Sequence, residues 1–277
     1  MAVSNLVSRV GTAAVGVPAL LALLYLGPAW GLYAFLALGV CLGALELFAM
    51  THPNDRVAQA IGAITCLATS ICFYFFDRDA LVLTTMLLVV PIVSMLVVLW
   101  RLGDVGSSAI RVMAGAFGPL YLGCGLTTLA LLRKDHLDGV GAGYVVLALG
   151  LAWASDTGGY FAGRKFGKHK LYEAVSPKKT VEGSIGGVIA ATLVAVLAHY
   201  WFLPSLPLSH AIPLAVFGSF LGQLGDLGES LLKRSTGVKD SGNLLPGHGG
   251  ILDRVDALLV TGTVVYLYAR WVGGAVR

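Results

Sequence analysis

Nine apolar runs, each near the length of a membrane-crossing helix, dominate this chain and leave few ways to fold it. They lie at 10–26, 30–50, 57–76, 80–100, 112–132, 139–161, 183–203, 210–227 and 255–272. About 20 apolar residues carry a helix across a hydrocarbon core about 30 Å thick. The runs are continuous and do not alternate, which favours helices over barrel strands. Of 277 residues, 57% are hydrophobic and 12% charged, against roughly 25% charged in soluble domains. A soluble fold would lack polar surface, and disorder needs low hydrophobicity. The expected architecture is all-α: a polytopic helical membrane protein with about nine transmembrane helices in a single integral-membrane domain over 1–277.

Nine crossings put the two termini on opposite sides, and the basic residues choose between them. The N-terminal side holds 14 Lys and Arg, the other side 5. The N-terminus is therefore expected in the cytoplasm and the C-terminus outside, in a multi-pass inner (plasma) membrane protein. The first run is flanked by Arg9, and Ala13-Ala14 makes no convincing cleavage motif, so a retained helix is expected over a signal peptide. Residues 1–150 read as an apolar helical scaffold and 151–277 as the half that carries chemistry. Two connections in that half, 162–182 and 228–254, are longer than helix joints need. Both fall on the cytoplasmic side, and loops held by a rigid scaffold are where sites concentrate.

Cys41, Cys66, Cys72 and Cys124 lie in apolar stretches without CxxC spacing and read as small buried hydrophobes. A net charge of +4 is too small to argue for nucleic acid. Ionisable groups inside or at the edges of spans are costly without partners; here they are Glu46, Asp156, His199, Asp226, Asp253 and Asp256. Glu46, near the cytoplasmic end of its run, reads at least as well as a boundary carboxylate reaching headgroup water as it does as a functional group. His199 reads as a hydrogen-bonded interior histidine. Asp226 is harder to dismiss. If its helix continues, Asp226, Glu229, Ser230 and Lys233 share one face. A solvated Glu229–Lys233 pair would explain those two residues but not Asp226.

Beyond it runs Lys239-Asp240-Ser241-Gly242-Asn243-Leu244-Leu245-Pro246-Gly247-His248-Gly249-Gly250-Ile251-Leu252-Asp253-Arg254-Val255-Asp256. Pro246 and the glycines forbid helix and permit close approach of backbone to a bulky anion. Asp253 and Asp256 share a face at the start of the last run. Two carboxylate-bearing helix ends joined by a glycine-rich basic loop can form a cage for a hard cation such as Mg²⁺, which takes one or two carboxylates plus substrate phosphates. Lys233, Arg234 and Lys239 would neutralise the remaining phosphate charge.

Ser230 to Asp256 resembles the signature of the phosphatidate cytidylyltransferases (CDP-diacylglycerol synthases). The matching positions are Ser230, Lys233, Arg234, Lys239, Asp240, Gly242, Leu245, Pro246, His248, Gly249, Gly250, Asp253, Arg254 and Asp256. Ser155-Asp156-Thr157-Gly158-Gly159-Tyr160-Phe161-Ala162-Gly163-Arg164 is similar to a second family segment, departing at Gly159, where the family carries Ala. Ser176-Pro177-Lys178-Lys179-Thr180-Val181-Glu182-Gly183 resembles a third. Alone, its lysines would read equally well as topology signals or anionic-lipid contacts.

The resemblance implies cytidylyl transfer from CTP to phosphatidate, giving CDP-diacylglycerol and pyrophosphate, with Mg²⁺ as cofactor and a homodimer as the assembly. It leaves a second, monovalent cation open. It implies Asp226 and Asp253 as the first metal ligands, with Asp256 and Glu229 beside them. Lys239 and His248 join Asp226 and Asp253 as catalytic candidates. Substrate contacts fall to Lys233, Arg234, Lys178, Lys179, Thr180, Ser230, Asp156, Gly249, Gly250 and Arg254. Three other readings are weaker. A CDP-alcohol phosphotransferase would need a D-x-x-D-G-x-x-A-R-type pattern, but Ala257 follows Asp256. A secondary transporter should show an internal repeat and mid-membrane acids. A non-catalytic scaffold would leave the motifs unexplained. Gly186-Gly187 marks a small-residue face able to pack helices within or between protomers.

Overall fold

A computed structural model gives the protein's structure over residues 2–136, 139–242 and 249–273, with side chains described from Ala14 onward. Leu245, Pro246 and His248, all named above, lie outside the described residues. The elements run α1 (Ala2–Tyr25), α2 (Ala29–Thr51), α3 (Arg56–Phe76), α4 (Ala80–Trp100), α5 (Ser108–Gly118), a π-helical segment (Pro119–Cys124), α6 (Gly125–Asp135), α7 (Val140–Phe166), β1 (Lys170–Tyr172), β2 (Ser176–Thr180), α8 (Val181–Trp201), α9 (Leu208–Ser235) and α10 (Leu252–Trp271). Each apolar run became helix. Among the described residues, seven helices are long and apolar enough to cross a membrane; α1, with an apolar described part of Ala14–Tyr25, and α10 are not among them.

Local chemistry sets the boundaries. Asp55 accepts the Ala58 N–H at 3.1 Å and caps α3, and Asp79 accepts the Leu81 and Val82 N–H groups at 2.9 and 3.1 Å and caps α4. Pro119 has no N–H for the i→i−4 ladder, and there the long helix from Ser108 to Asp135 widens into its π-helical segment. The connection 162–182 is less of a loop than hydropathy suggests. α7 runs polar through Phe166, and an antiparallel hairpin pairs Lys170 with Thr180 and Tyr172 with Ser176. Likewise α9 continues through Ser235, because hydropathy ends where a helix turns polar, not where it stops.

The chain forms two compact units, residues 1–130 with 240–253 and residues 131–239 with 254–277. In the first, the Ser70 and Thr127 hydroxyls meet at 2.6 Å between apolar helices. Arg111, 6% exposed, donates to the Leu102 and Arg101 carbonyls at 2.7 Å each, while Arg101 grips Asp55 at 2.9 Å. The Arg101 guanidinium holds the Asp55 carboxyl below the usual carboxylate range. In the second unit α7 packs along α8. His199 Nδ1 lies 2.8 Å from the Leu206 carbonyl, as an interior histidine should.

The α7–α8 contact uses the small-residue face within one protomer. A Cβ at Gly158 would sit 2.8 Å from the Gly186 carbonyl oxygen and against Ala190, and one at Gly186 would strike Ala162. At Gly159 the neighbour is the Gly183 carbonyl oxygen at 3.4 Å, an ordinary contact. The departure from the family's Ala is therefore sterically silent. Gly159→Ala should leave thermal stability in detergent unchanged or raise it, since Ala favours helix over Gly by about 0.5–1 kcal/mol. Gly158→Ala must push the helices apart and should cost about 1–3 kcal/mol. Melting curves followed by circular dichroism would separate the two variants; equal melting would show that the close approach is not needed.

Candidate active site

The second unit contains a cavity of about 450 Å³, within the usual size of small-ligand sites. Its walls are α7 (Ser155, Asp156, Gly159, Tyr160, Gly163, Arg164), the hairpin (Leu171, Ser176, Lys178, Lys179, Thr180), the start of α8 (Gly183, Ser184) and α9 (Gln223, Asp226). The segments around 155–164 and 176–183, separate in sequence, thus become facing walls. The close α7–α8 approach makes this possible: small residues along both helices let the hairpin between them fold over the cavity.

Charges of both signs line it. Lys179 Nζ pairs with Asp226 Oδ2 at 2.5 Å, both side chains about a quarter exposed. Lys178 and Arg164 are exposed, and Arg164 Nη1 donates to the Tyr160 hydroxyl at 3.1 Å. Thr180 is half-buried and its hydroxyl accepts the Gly183 N–H at 3.1 Å, so it caps α8 while facing the cavity. Glu182 ties down the hairpin base, accepting the Lys168 N–H at 3.1 Å and meeting His169 Nδ1 at 2.7 Å.

Asp226 opens a polar face on α9. Ser230 Oγ lies 3.5 Å from Asp226 Oδ1, and Lys233 Nζ lies 3.0 Å from Glu229 Oε1. That pair is not the solvated one a bland reading expects: the Lys233 and Glu229 side chains are 9% and 1% exposed. A buried pair of this kind is weak evidence for stability, since desolvation offsets its attraction. The charge of Asp156 is felt with those of Asp226, Lys179 and Arg254, and that of Asp256 with Asp226, Glu229 and Asp156. Four carboxylates and three cations, Lys179, Lys233 and Arg254, therefore share one electrostatic neighbourhood. Among the described residues, no three His, Cys, Asp or Glu side chains gather closely enough to hold a metal by themselves. Hard carboxylate oxygens fit a Mg²⁺ that arrives with phosphate ligands, and do not fit an all-protein cage.

Other expected site residues are not among those lining the cavity. Arg234 is exposed and donates to the Val238 carbonyl at 3.0 Å, and Lys239 is exposed; neither lines the cavity. Asp253, Gly249 and Gly250 belong to the first unit. There Asp253 Oδ2 accepts the Ser241 N–H at 3.0 Å, the Ser241 hydroxyl at 2.9 Å and the Gly250 N–H at 3.1 Å. The Gly250 N–H therefore serves this internal carboxylate, where an incoming anion had been expected to use it. Gly249 takes a left-handed backbone, φ +79°.

Sequence reasoning passed over Gln223. Its Nε2 donates to Ser155 Oγ at 3.1 Å and to the Ser184 carbonyl at 3.2 Å, and its Oε1 accepts from Ser184 Oγ. One amide thereby joins α7, α8 and α9 at the cavity wall. A lone amide in an apolar run was the available signal, because such a group needs partners in lipid.

A family model for the cytidylyltransferase family matches residues 7–272. A phosphatidate cytidylyltransferase from Bacillus subtilis (strain 168) is 45% identical over 131 residues, 47% of this chain and 49% of the relative. One from Staphylococcus haemolyticus is 43% identical over 139 residues, so the chain spans about half the length of these two relatives. One from Brucella suis biovar 1 is 35% identical over 271 residues, covering 96% of this chain and 93% of the relative. With a match along nearly its full length, the chain belongs to the cytidylyltransferase family, the nucleotidyltransferases that include these phosphatidate cytidylyltransferases.

Proposed function

We propose that this protein transfers a cytidylyl group from CTP to phosphatidate, releasing pyrophosphate and leaving CDP-diacylglycerol in the membrane. The observation that supports this reading best is the cavity itself: two motif segments, 155–164 and 176–183, together with Asp226 of α9, supply cations and carboxylates to one space. A phosphate oxygen of phosphatidate attacks the α-phosphorus of CTP. The new P–O bond forms as the bond to the bridging oxygen of the β-phosphate breaks, and that oxygen leaves with pyrophosphate. No protein nucleophile is needed.

Both reactants are polyanions, so the protein's task is positioning and charge neutralisation. Lys178 and Lys179 on the hairpin meet phosphate oxygens, and Arg164 adds a planar donor at the same wall. Lys239, Arg234 and His248 are kept as phosphate contacts from the sequence reading alone. Asp226 and Asp156, with Asp256 and Glu229 beside them, would hold Mg²⁺ on its phosphate ligands, and Asp253 is kept as a metal ligand from the sequence reading alone. Bound there, the ion would withdraw charge from the phosphates and orient them. Lys179 and Asp226 neutralise each other; substrate binding would give the ammonium to phosphate and the carboxylate to Mg²⁺. The excess of Lys and Arg supports a cytoplasmic side for the segments 162–182 and 228–254, where CTP is found.

The test is purified protein with labelled CTP, phosphatidate and Mg²⁺. Labelled lipid should form, stop when EDTA removes the metal, and resume on adding Mg²⁺. Labelling that needs an alcohol acceptor in place of phosphatidate, or no lipid labelling, would overturn the assignment.

A further inference from the structure

Glu46 lies on α2 with 6% of its surface exposed, in a helix apolar enough to cross a membrane. A bare carboxylate is strongly disfavoured there. Its partners come from some 200 residues further along the chain. Glu46 Oε1 accepts the Ile251 N–H at 3.0 Å, and Oε2 accepts the Leu252 N–H at 2.9 Å and the Ser241 hydroxyl at 3.2 Å. Ile251 and Leu252 stand at the start of α10, where N–H groups have no acceptor within their own helix and the dipole favours an anion. Glu46 thus caps α10 from a different helix.

The fit is close. A Cβ at Gly242 would lie 2.6 Å from Glu46 Oε1, and one at Gly250 would lie 2.5 Å from Oε2. Gly242 and Gly250 are therefore needed for a carboxylate of the chain itself. The Ser241 hydroxyl that reaches Glu46 also lies 2.9 Å from Asp253 Oδ2. Glu46, Ser241 and Asp253 form one connected set, and through it Ser241 and Gly250 are tied to the first turn of α10.

We infer that Glu46 is a positioning residue: from α2 it fixes the first turn of α10, and so the orientation of Asp253 and its Ser241 brace, for handling the metal–nucleotide complex. A boundary carboxylate reaching headgroup water would be exposed and free of these bonds, and Glu46 is neither. The inference rests on the proposed use of Mg²⁺ and CTP, so its readouts are independent of turnover.

Hydrogen exchange of residues 249–253 in detergent-solubilised protein reads the cap directly. Mn²⁺ binding in the presence of CTP, followed by electron paramagnetic resonance, reads its consequence. Glu46→Gln keeps the size but removes the charge and turns a donor toward donors. Exchange at Ile251 and Leu252 should rise tenfold or more, and Mn²⁺ binding should weaken at least fivefold, in protein that elutes normally on gel filtration. Ser241→Ala should move both readouts the same way by less. Should Glu46→Gln fail to fold, Ser241→Ala decides alone. Wild-type exchange, or faster exchange with wild-type Mn²⁺ binding, overturns the inference and leaves Glu46 a scaffold residue. Wild-type protein that binds Mn²⁺ and CTP but makes no CDP-diacylglycerol would overturn the reaction and not this role.

Discussion

Asp226→Asn should cut turnover by about a hundredfold or more, which is about 2.7 kcal/mol of lost transition-state stabilisation. Asn keeps the size of the side chain and its contact with Ser230, but removes the charge that, on the proposed function, would hold Mg²⁺ against the phosphates. Electrostatic contributions of this type commonly reach several kcal/mol. Asp226 lines the cavity and pairs with the hairpin's Lys179, so its carboxylate lies where nucleotide phosphates would arrive. Loss of folding is not the expected cause, since a pair this exposed contributes about 0–1 kcal/mol to stability. Asp79→Asn is the control. Asp79 caps α4 through two backbone N–H groups, and Asn caps about as well as Asp, so activity should persist. Near-normal turnover by Asp226→Asn at saturating Mg²⁺ would remove Asp226 from the metal site.

The helical architecture was legible because lipid leaves so little choice: a run of about 20 apolar residues has to satisfy its own backbone. Hence the expected 57–76 and 80–100 became Arg56–Phe76 and Ala80–Trp100. Hydropathy could not see α7 and α9 continuing as polar helix to Phe166 and Ser235, or the hairpin, which is held by hydrogen bonds and one Glu182 brace. The family resemblance singled out Asp156, Lys178, Lys179 and Thr180, and a carboxylate at the edge of an apolar run singled out Asp226; the structure lines one cavity with all five. Neither signal could say how a carboxylate's lone pairs are divided. Asp253, read from spacing as a metal ligand, accepts three bonds from its own loop, and Glu46, read as a boundary residue, caps a helix 200 residues away. A polar residue in an apolar run announces that it has a partner; only the fold says which.

Lys179→Met should lower kcat/KM for CTP by about a hundredfold, with KM raised and kcat reduced. Lys179 is half-buried at the cavity wall, on a short strand fixed by pairing to β1 and by the Thr180 cap of α8, so its ammonium is held with little freedom to lose. A strongly hydrated point charge on a flexible stem suits a phosphate that changes charge during reaction. Arg presents a broader planar fork, so Lys179→Arg should recover only part of the loss. The competing account is that Lys179 and Asp226 contribute independently. A double substitution separates the two. If Lys179 and Asp226 act as one unit on the metal-bound phosphates, Lys179→Met with Asp226→Asn should be little worse than the weaker single variant, because groups that work together are not additive. If each contributes alone, the double variant should lose roughly ten-thousandfold, the product of the two single losses. Wild-type kinetics for Lys179→Met would return this lysine to the reading of a topology signal or lipid contact, and the cavity would then need another cation for the nucleotide.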